Sequence, residues 1–191
     1  MSQPSLYSPL RSQLREVRVI HLLPSDNFDH DIHCELRAVS LDTNPEYEAL
    51  SYVWSTPPGT GFITVSGQPM EVTANLLAAL RRLRCRQKTR VVWADAICIN
   101  QADMDERCAQ VLLMGDIYRL TKGVLIWLGD GLDGTREDAL TVDERDDFPW
   151  RDAPMDASFI LEPRVPALSL LLALPWWTRM WVVQEAILPP K

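Results

Sequence analysis

Two short apolar runs with a helix between them constrain the fold of this chain more than any other stretch. The first run, 91–93, leads into the carboxylate of Asp95, and the second, 124–128, leads into Gly129. Runs this apolar are typical of parallel strands covered on both faces, and parallel strands need a crossover, which is usually a helix. The stretch 90–131 therefore predicts a βαβ unit. In open sheets of this kind, ligands bind beyond the carboxyl ends of the strands.

The intervening helix is indicated by its caps and by its apolar spacing. Asp103 is placed to accept from early backbone amides, and Glu106, three residues later, is placed to reach back in a capping box. Gly123 marks the far end. Residues at helical steps predict one buried stripe. That stripe comprises Cys108, Val111, Leu112, Met114, Gly115, Ile117 and Tyr118.

Two hairpins are expected before this unit. The segments 17–23 and 32–41 read as strands, and the polar link between them favours a hairpin. A second hairpin is predicted for 62–65 and 70–72, which are joined through a Ser-Gly pair. These elements predict an α/β fold with a parallel sheet, flanking helices and added N-terminal β-hairpins.

The remaining stretches complete a single domain over 16–191, preceded by a loose lead-in at 1–15. Residues 47–54 predict a further strand whose far end carries aromatic and hydroxyl groups. Thr73 is expected to cap a Leu-rich helix. Residues 131–164 are acidic, proline-bearing and poorly periodic, which indicates an insertion or loop before the last helix.

Composition disfavours several classes of partner. The net charge of -7 and the pI of about 4.9 argue against nucleic acid, because a polyanion is repelled by most of such a surface. The arginines and lysine in 81–90 follow a helix, where cations complement the negative end of its dipole. No apolar run approaches the roughly 18 residues of a membrane span, and no secretory signal opens the chain. We expect a cytoplasmic protein without a membrane span.

Neither a metal site nor a dinucleotide fingerprint is predicted. The four cysteines form no C-x-x-C pair, and in the tight cluster of His30, His33 and Cys34 the last two should point to opposite faces of a strand. Residues 129–134 match G-x-G-x-x-G in letters. Acidic side chains within that match would repel a pyrophosphate, and no apolar helix follows it.

A tryptophan-rich segment near the end of the chain carries an unexpected carboxylate. Trp177, Trp181, Glu185 and Leu188 fall at three- or four-residue steps, so they share one stripe of a predicted helix. A carboxylate on an apolar stripe calls for a functional or structural reason.

Taken together, four segments resemble the fungal heterokaryon incompatibility (HET) domain. They are 47–54, 91–119, 124–130 and 175–187, in the order that the family has them. This chain departs from the family at Ser55, where the family usually has Gly. If that position needs a left-handed backbone, Ser is strained there.

The resemblance implies a trigger of programmed cell death after non-self recognition, usually as one module of a larger protein. It also implies a distant relation to the TIR domain, and with it a TIR-like (flavodoxin-like) parallel sheet flanked by helices. In that comparison 49–52, 91–95 and 124–128 are similar to the first three TIR strands. The segment 179–187 is similar to the helix that carries the catalytic glutamate of NAD-cleaving TIR domains, which makes Glu185 the catalytic candidate.

NAD is then expected as a substrate, with no prosthetic group and no metal ligands. A fixed carboxylate can stabilise the oxocarbenium-like ribose that forms as nicotinamide departs. Aromatic rings would stack on the bases, polar groups would orient sugar and amide, and arginines would meet phosphates. The candidate binding residues are Ser51, Tyr52, Trp54, Asp95, Asn100, Gln101, Arg107, Trp127, Arg179 and Trp181.

Other interpretations stay open at this point. In one, Glu185 only pairs with Arg179 or Arg119 or caps a neighbouring loop, and Asp95 is more simply a cap for the turn after its strand. In another, the domain acts without catalysis, as a death-signalling module that self-associates or recruits a partner protein. A nucleotide sensor that binds without cleaving is a third possibility.

Overall fold

The computed structural model describes residues 6–54 and 59–129, which form one seven-stranded sheet with three helices. The expected acidic insertion, Arg179, Trp181 and Glu185 lie outside the described residues. The strands are β1 (Glu16–Leu22), β2 (His33–Ser40), β3 (Glu48–Ser51), β4 (Thr60–Val65), β5 (Gln68–Thr73), β6 (Arg90–Trp93) and β7 (Gly123–Ile126); the helices are α1 (Ala74–Leu83), α2 (Asp95–Cys98) and α3 (Met104–Arg119).

The sheet is mixed, with the order β5-β4-β2-β1-β6-β3-β7. β6, β3 and β7 run parallel to one another, and β1 pairs antiparallel with β6. The two hairpins extend the same sheet, since β2 and β4 are also neighbours. The α/β class is confirmed, and the parallel part of the sheet is confined largely to its β6-β3-β7 end.

Both predicted hairpins are confirmed. β1 and β2 are antiparallel in a register that pairs Glu16 with Ser40 and Leu22 with Cys34. β4 and β5 are antiparallel and turn through Ser66 and Gly67, whose φ angles are 48° and 80°. Two positive φ values in a two-residue turn match the twist of the strands that it joins.

The predicted βαβ unit is present, but its two strands are not neighbours. β3 lies between β6 and β7, and Ala49 is paired with both Trp93 and Val124. β3, which comes first of these three strands along the chain, therefore occupies the centre of the parallel part of the sheet. The carboxyl ends of all three strands reach the same edge, which we call the carboxyl edge.

Helices cover both faces of this sheet. On one face the ring of Trp93 meets that of Tyr118 from α3 edge-on, with centroids 5.7 Å apart. On the other face α1 supplies Asn75, whose Oδ1 accepts from the indole of Trp127 at 2.8 Å. Leu76, Ala79 and Leu80 of α1 are buried in the core. The predicted cap is confirmed, because the Thr73 hydroxyl accepts from the Leu76 amide at 3.2 Å.

The capping box predicted for α3 forms only in half. Asp103 accepts from the Glu106 amide at 3.0 Å, as expected. The Glu106 carboxylate does not turn back to Asp103; it accepts from the Asn100 amide at 2.7 Å and pairs with Arg18. The Glu106 carboxylate pairs with Arg18 instead because Arg18 is buried in β1, and leaving a buried guanidinium without a carboxylate costs more than leaving an exposed cap incomplete.

The buried stripe predicted for α3 is correct for Met114, Ile117 and Tyr118. It is wrong, among the described residues, for Cys108, Val111 and Leu112, which are exposed. Gln110 is buried instead, and its amide donates to the Glu16 carbonyl at 3.0 Å.

Two arginines of the basic cluster are committed to local structure. Arg90 makes a two-point ion pair with Glu48, with donor to acceptor distances of 2.6 and 2.9 Å. Arg84 donates to backbone carbonyls of the loop between β1 and β2, at distances from 2.8 to 3.1 Å. Within residues 6–54 and 59–129, no helix is long and apolar enough to cross a membrane.

Candidate functional site

Residues from three parallel strands converge at the carboxyl edge. Ala94 and Asp95 follow β6, residues 52–54 follow β3, and residues 127–129 follow β7. Because β3 pairs in parallel with both neighbours, these three exits lie side by side. This is the position at which open α/β sheets bind ligands.

The centre of this edge is a contact between Trp54 and Asp95. The indole N–H of Trp54 donates to both carboxylate oxygens of Asp95, at 3.0 and 3.2 Å. The same carboxylate accepts from the Ala96 amide at 2.8 Å, which fixes its orientation at the start of α2. Trp54 remains 41% exposed. The edge thus presents an aromatic surface beside an oriented carboxylate.

The loop after β6 is held by its own polar side chains. The Gln101 side-chain amide donates to the Asp95 backbone carbonyl at 2.9 Å, and the Asn100 side-chain oxygen Oδ1 accepts from the Ala102 backbone amide at 3.2 Å. Cys98 lies within this segment and is fully buried, and this burial raises the pKa of its thiol to about 12. Asn100 and Gln101 therefore shape the loop that carries Asp95.

A buried arginine supports the loop from below. Arg18 is 3% exposed and donates to the Glu106 carboxylate at 2.9 Å and to the Cys98 carbonyl at 3.2 Å. Sequence reasoning missed this pair. The available signal was an arginine between two valines in an apolar strand, Val17 and Val19, where a charge needs a buried partner.

Two residues of the expected lead-in complete this support. Arg18 donates to the Ser8 carbonyl at 2.6 Å, and its guanidinium lies 4.9 Å from the ring centroid of Tyr7. The Tyr7 hydroxyl in turn donates to the Ile97 carbonyl at 3.1 Å. Desolvation raises the pKa of Tyr7 to about 12, so this hydroxyl stays a donor at neutral pH.

Asn75 joins the exits of β3 and β7, and sequence reasoning also missed it. Its amide donates to the Val53 carbonyl at 2.6 Å, while its oxygen accepts from the Trp127 indole. The Trp127 amide donates to the Ser51 carbonyl at 2.8 Å. Asn75 is 3% exposed, and its signal in the sequence was a polar residue two positions after the Thr73 cap, on the apolar side of α1.

The other candidates lie at varied depths. Ser51 and Tyr52 are buried beneath the edge, and Arg107 is exposed on the first turns of α3. The structure thus brings together Trp54, Asp95 and Gln101 by direct contacts, with Asn100 on the same loop. Trp127 is tied to the β3 exit through Asn75.

A metal site is not formed by the described residues, in which no group of three or more His, Cys, Asp or Glu side chains is placed to hold an ion. His33 is exposed and Cys34 buried, so the two point to opposite faces as predicted.

A shallow groove of about 370 Å³ lies elsewhere, lined by 23–25, His30, Asp31, His33 and Arg84. Leu22 pairs with Arg90 at the start of β6, so this groove is at the opposite edge of the sheet from Asp95.

The described residues thus form an α/β domain in which parallel strands lead into a tryptophan and a carboxylate. The chain belongs to the heterokaryon incompatibility (HET) family, whose model matches residues 47–185. That span begins one residue before β3 and ends at Glu185, so it contains every candidate residue of the site.

Among curated proteins, the chain is similar to heterokaryon incompatibility protein 6, OR allele, of Neurospora crassa. The two are 28% identical over 212 aligned positions, which take in 88% of this chain and 31% of the relative. The chain thus spans about a third of the length of that relative. No solved structure matches the chain.

Proposed function

We propose that this chain is an effector of programmed cell death in fungal non-self recognition and that it acts by cleaving NAD to nicotinamide and an ADP-ribose product. The observation that carries the proposal is the contact of Trp54 with Asp95 at the carboxyl edge. An exposed indole offers a stacking surface for a base, and the neighbouring carboxylate is an acceptor for ribose hydroxyls.

The order of the parallel strands supports a TIR-like site. β3 comes first along the chain and lies in the centre, β6 comes second, and β7 comes third on the other side of β3. Strand order reverses at β3, which is the kind of switch point at which doubly wound sheets bind nucleotides. Trp54 and Asp95 flank that point.

In the proposed reaction the bond between ribose C1′ and the nicotinamide nitrogen breaks. Its electron pair goes to the positively charged ring, which departs as neutral nicotinamide. A water oxygen then bonds to C1′ and loses its proton. Glu185 is proposed to stabilise the positive charge that develops on the ribose, as carboxylates do in glycoside hydrolysis. Asp95 and the loop at 95–101 orient the sugar, and Trp54 stacks on a base.

Arg107, Arg179, Trp127 and Trp181 complete the proposed site. The arginines supply charge for the two phosphates, and the tryptophans supply further stacking surface. Ser51 ends β3 and Tyr52 follows it, and both side chains are buried. NAD is the substrate in this scheme, and self-association of the domain is expected to favour activity.

The test is release of nicotinamide from NAD by purified protein over a range of protein concentrations. We expect Glu185→Gln to lower the rate by at least about a hundredfold, the effect typical of removing one group that stabilises charge in a transition state. Glu46→Gln is the matched control, because Glu46 is exposed and precedes β3 at the opposite edge of the sheet. No release from the unmodified protein at any concentration refutes the proposal.

A killing assay separates this proposal from a non-enzymatic signalling module. Overexpression in a fungal cell is expected to kill with the unmodified protein and with Glu46→Gln, but not with Glu185→Gln. If Glu185→Gln still kills while its folded content is unchanged, catalysis is not the cause of death. Thermal stabilisation by NAD without any product would instead indicate a sensor.

A further inference from the structure

The arginines at the end of α1 have no carboxylate partner within residues 6–54 and 59–129. Elsewhere in these ranges the arginines form ion pairs with aspartate or glutamate, with Arg107 as the exception. The unpaired arginines at the end of α1 are Arg81, Arg82, Arg84 and Arg86. The C-terminal end of a helix carries about half a negative charge, which offsets only part of this excess. Positive charge is therefore concentrated here, in a protein whose net charge is -7.

Three of these arginines line one small pocket. Its volume is about 120 Å³, which is room for roughly four water molecules and so the scale of one tetrahedral oxyanion. The lining comes from the end of α1 and from the loop between β1 and β2, and it comprises Ser25, Asp26, Phe28, Arg81, Arg84 and Arg86. The carboxylate of Asp26 is exposed and forms no ion pair with these guanidinium groups in the described structure. The lining therefore stays positive.

Arg84 is fixed in the wall of the pocket without losing its charge. Its terminal nitrogens donate to backbone carbonyls in 27–31, at 2.8 to 3.1 Å. Carbonyl dipoles satisfy these N–H groups, but they do not neutralise the guanidinium. Burial, and then the nearby charge of Arg81, lower the pKa of Arg84. Two positive charges are thus held close together on one wall.

Arg81 is packed in place without a counter-ion. Its Nε is buried and has no hydrogen-bond partner among the described residues. Its terminal nitrogens are not buried in this way, and no described residue accepts a hydrogen bond from them. These nitrogens are therefore available to an acceptor in the pocket. A guanidinium presents its donors in a planar fork that suits the oxygens of a phosphate group.

We propose that this pocket binds the phosphate group of a small phosphorylated molecule. Arg81 and Arg86 would supply N–H donors, and Arg84 adds charge. A phosphate monoester suits this lining better than a carboxylate, because it offers three terminal oxygens and a charge close to -2. The pocket shares Ser25 and Arg84 with the groove of about 370 Å³ described above, which has room for the rest of the ligand.

The same loop disfavours a long polyanion. Asp26, Asp29 and Asp31 are all exposed on it, and they would repel successive phosphates of an extended chain. A small molecule with one phosphate avoids most of this repulsion. The groove lies at the opposite edge of the sheet from Asp95, so the inference goes beyond the proposed reaction and holds whether or not NAD is cleaved.

Isothermal titration calorimetry of the full chain tests this inference, with phenyl phosphate and inorganic phosphate as probes at constant ionic strength. We expect a single site with a dissociation constant on the order of 1 mM or tighter. Arg81→Gln and Arg86→Gln should each weaken binding about tenfold or more, as expected for the loss of one hydrogen bond to a charged group. Arg82→Gln removes the same charge from an exposed position outside the pocket lining, and should weaken binding less than about twofold.

Folding is checked separately from binding. Circular dichroism and thermal unfolding without ligand identify a variant that does not fold. If Arg81→Gln does not fold, Arg86→Gln decides, because Arg86 is exposed and its replacement leaves no buried group without a partner in the described residues.

Three results would overturn the inference. The first is that the unmodified chain binds neither probe at about 10 mM, which means that the pocket is not a phosphate site. The second is that Arg82→Gln weakens binding as much as Arg86→Gln does, which means that the probes respond to overall charge. The third is binding to vesicles that contain phosphatidic acid without binding of phenyl phosphate, which means that the pocket holds a lipid head group.

Discussion

Replacing Glu106 by alanine is expected to destabilise the domain strongly while leaving its surface almost unchanged. The substitution removes the carboxylate that neutralises Arg18, whose side chain is 3% exposed against 11% for that of Glu106. Loss of one partner of a buried pair costs about 3–5 kcal/mol, because the other charge stays buried. The Asn100 amide also loses its acceptor, which adds about 1 kcal/mol.

The remaining contacts of Arg18 reduce this penalty. Its guanidinium keeps the carbonyls of Cys98 and Ser8 and the ring of Tyr7. We therefore expect Glu106→Ala to lower the free energy of unfolding by about 3 kcal/mol, at the lower end of the range for a broken buried pair. Asp105→Ala, at an exposed neighbouring position of α3, should change it by less than about 0.5 kcal/mol.

Urea unfolding followed by far-ultraviolet circular dichroism measures these differences. Adding Arg18→Met to Glu106→Ala removes the uncompensated charge, so the double variant should be less destabilised than the sum of the single variants. A loss below about 1 kcal/mol for Glu106→Ala, or strict additivity in the cycle, would show that the pair does not hold the loop as described.

Two further predictions concern the pH dependence of stability through Glu106 and the loss of the Asn75 side chain. Burial tends to raise the pKa of Glu106, but hydrogen bonds from Arg18 and the Asn100 amide outweigh it and hold this pKa below 4.5. The stabilisation that the Glu106 carboxylate contributes is therefore complete above pH 4.5 and is lost as pH falls through the lower folded pKa. Urea titrations from about pH 6 to about pH 3 should show a steeper loss of unfolding free energy for the unmodified protein than for Glu106→Gln. Equal slopes of unfolding free energy against pH would contradict this prediction. Asn75→Ala should lower the free energy of unfolding by about 2–3 kcal/mol, since it leaves the Val53 carbonyl and the Trp127 indole without their partner. Urea unfolding measures this loss, with Glu46→Ala as the exposed control. A loss below about 1 kcal/mol would argue against the role of Asn75 in joining the exits of β3 and β7.

Local patterns in the sequence predicted the elements of this fold well. Alternation and a Ser-Gly turn located the hairpins, and the Thr73 and Asp103 caps were right because a cap depends on residues only three positions apart. Strand bounds shifted by one to three residues, as for β3, which starts at Glu48 and ends at Ser51.

Long-range contacts were harder to predict. Nothing in the spacing of residues specifies that β3 inserts between β6 and β7, since that depends on the packing of strands far apart in the chain. Periodicity also cannot separate a stripe buried against the described sheet from one on the outer flank, which is why Val111 and Leu112 were misplaced on α3.

The candidate site likewise contains residues that local patterns predicted and residues that depend on long-range contacts. Asp95 and Trp54 were chosen as ends of apolar runs, and the structure joins them by a hydrogen bond. Arg18 and Asn75 were missed because each supports the edge through backbone carbonyls of distant segments. Such roles leave no short-range pattern to detect.

The place of β1 bears on where this domain begins as a folding unit. The family model matches this chain from residue 47 onward, after both β1 and β2. Yet β1 lies against β6 in the middle of the sheet and brings Arg18 beneath the Asp95 loop. A protein expressed from residue 47 onward would expose the hydrogen-bonding groups along β6 and invite pairing with other chains. The first residue matched by the family model and the first residue of the packed unit are therefore different. Only a unit that includes β1 supports the carboxyl edge.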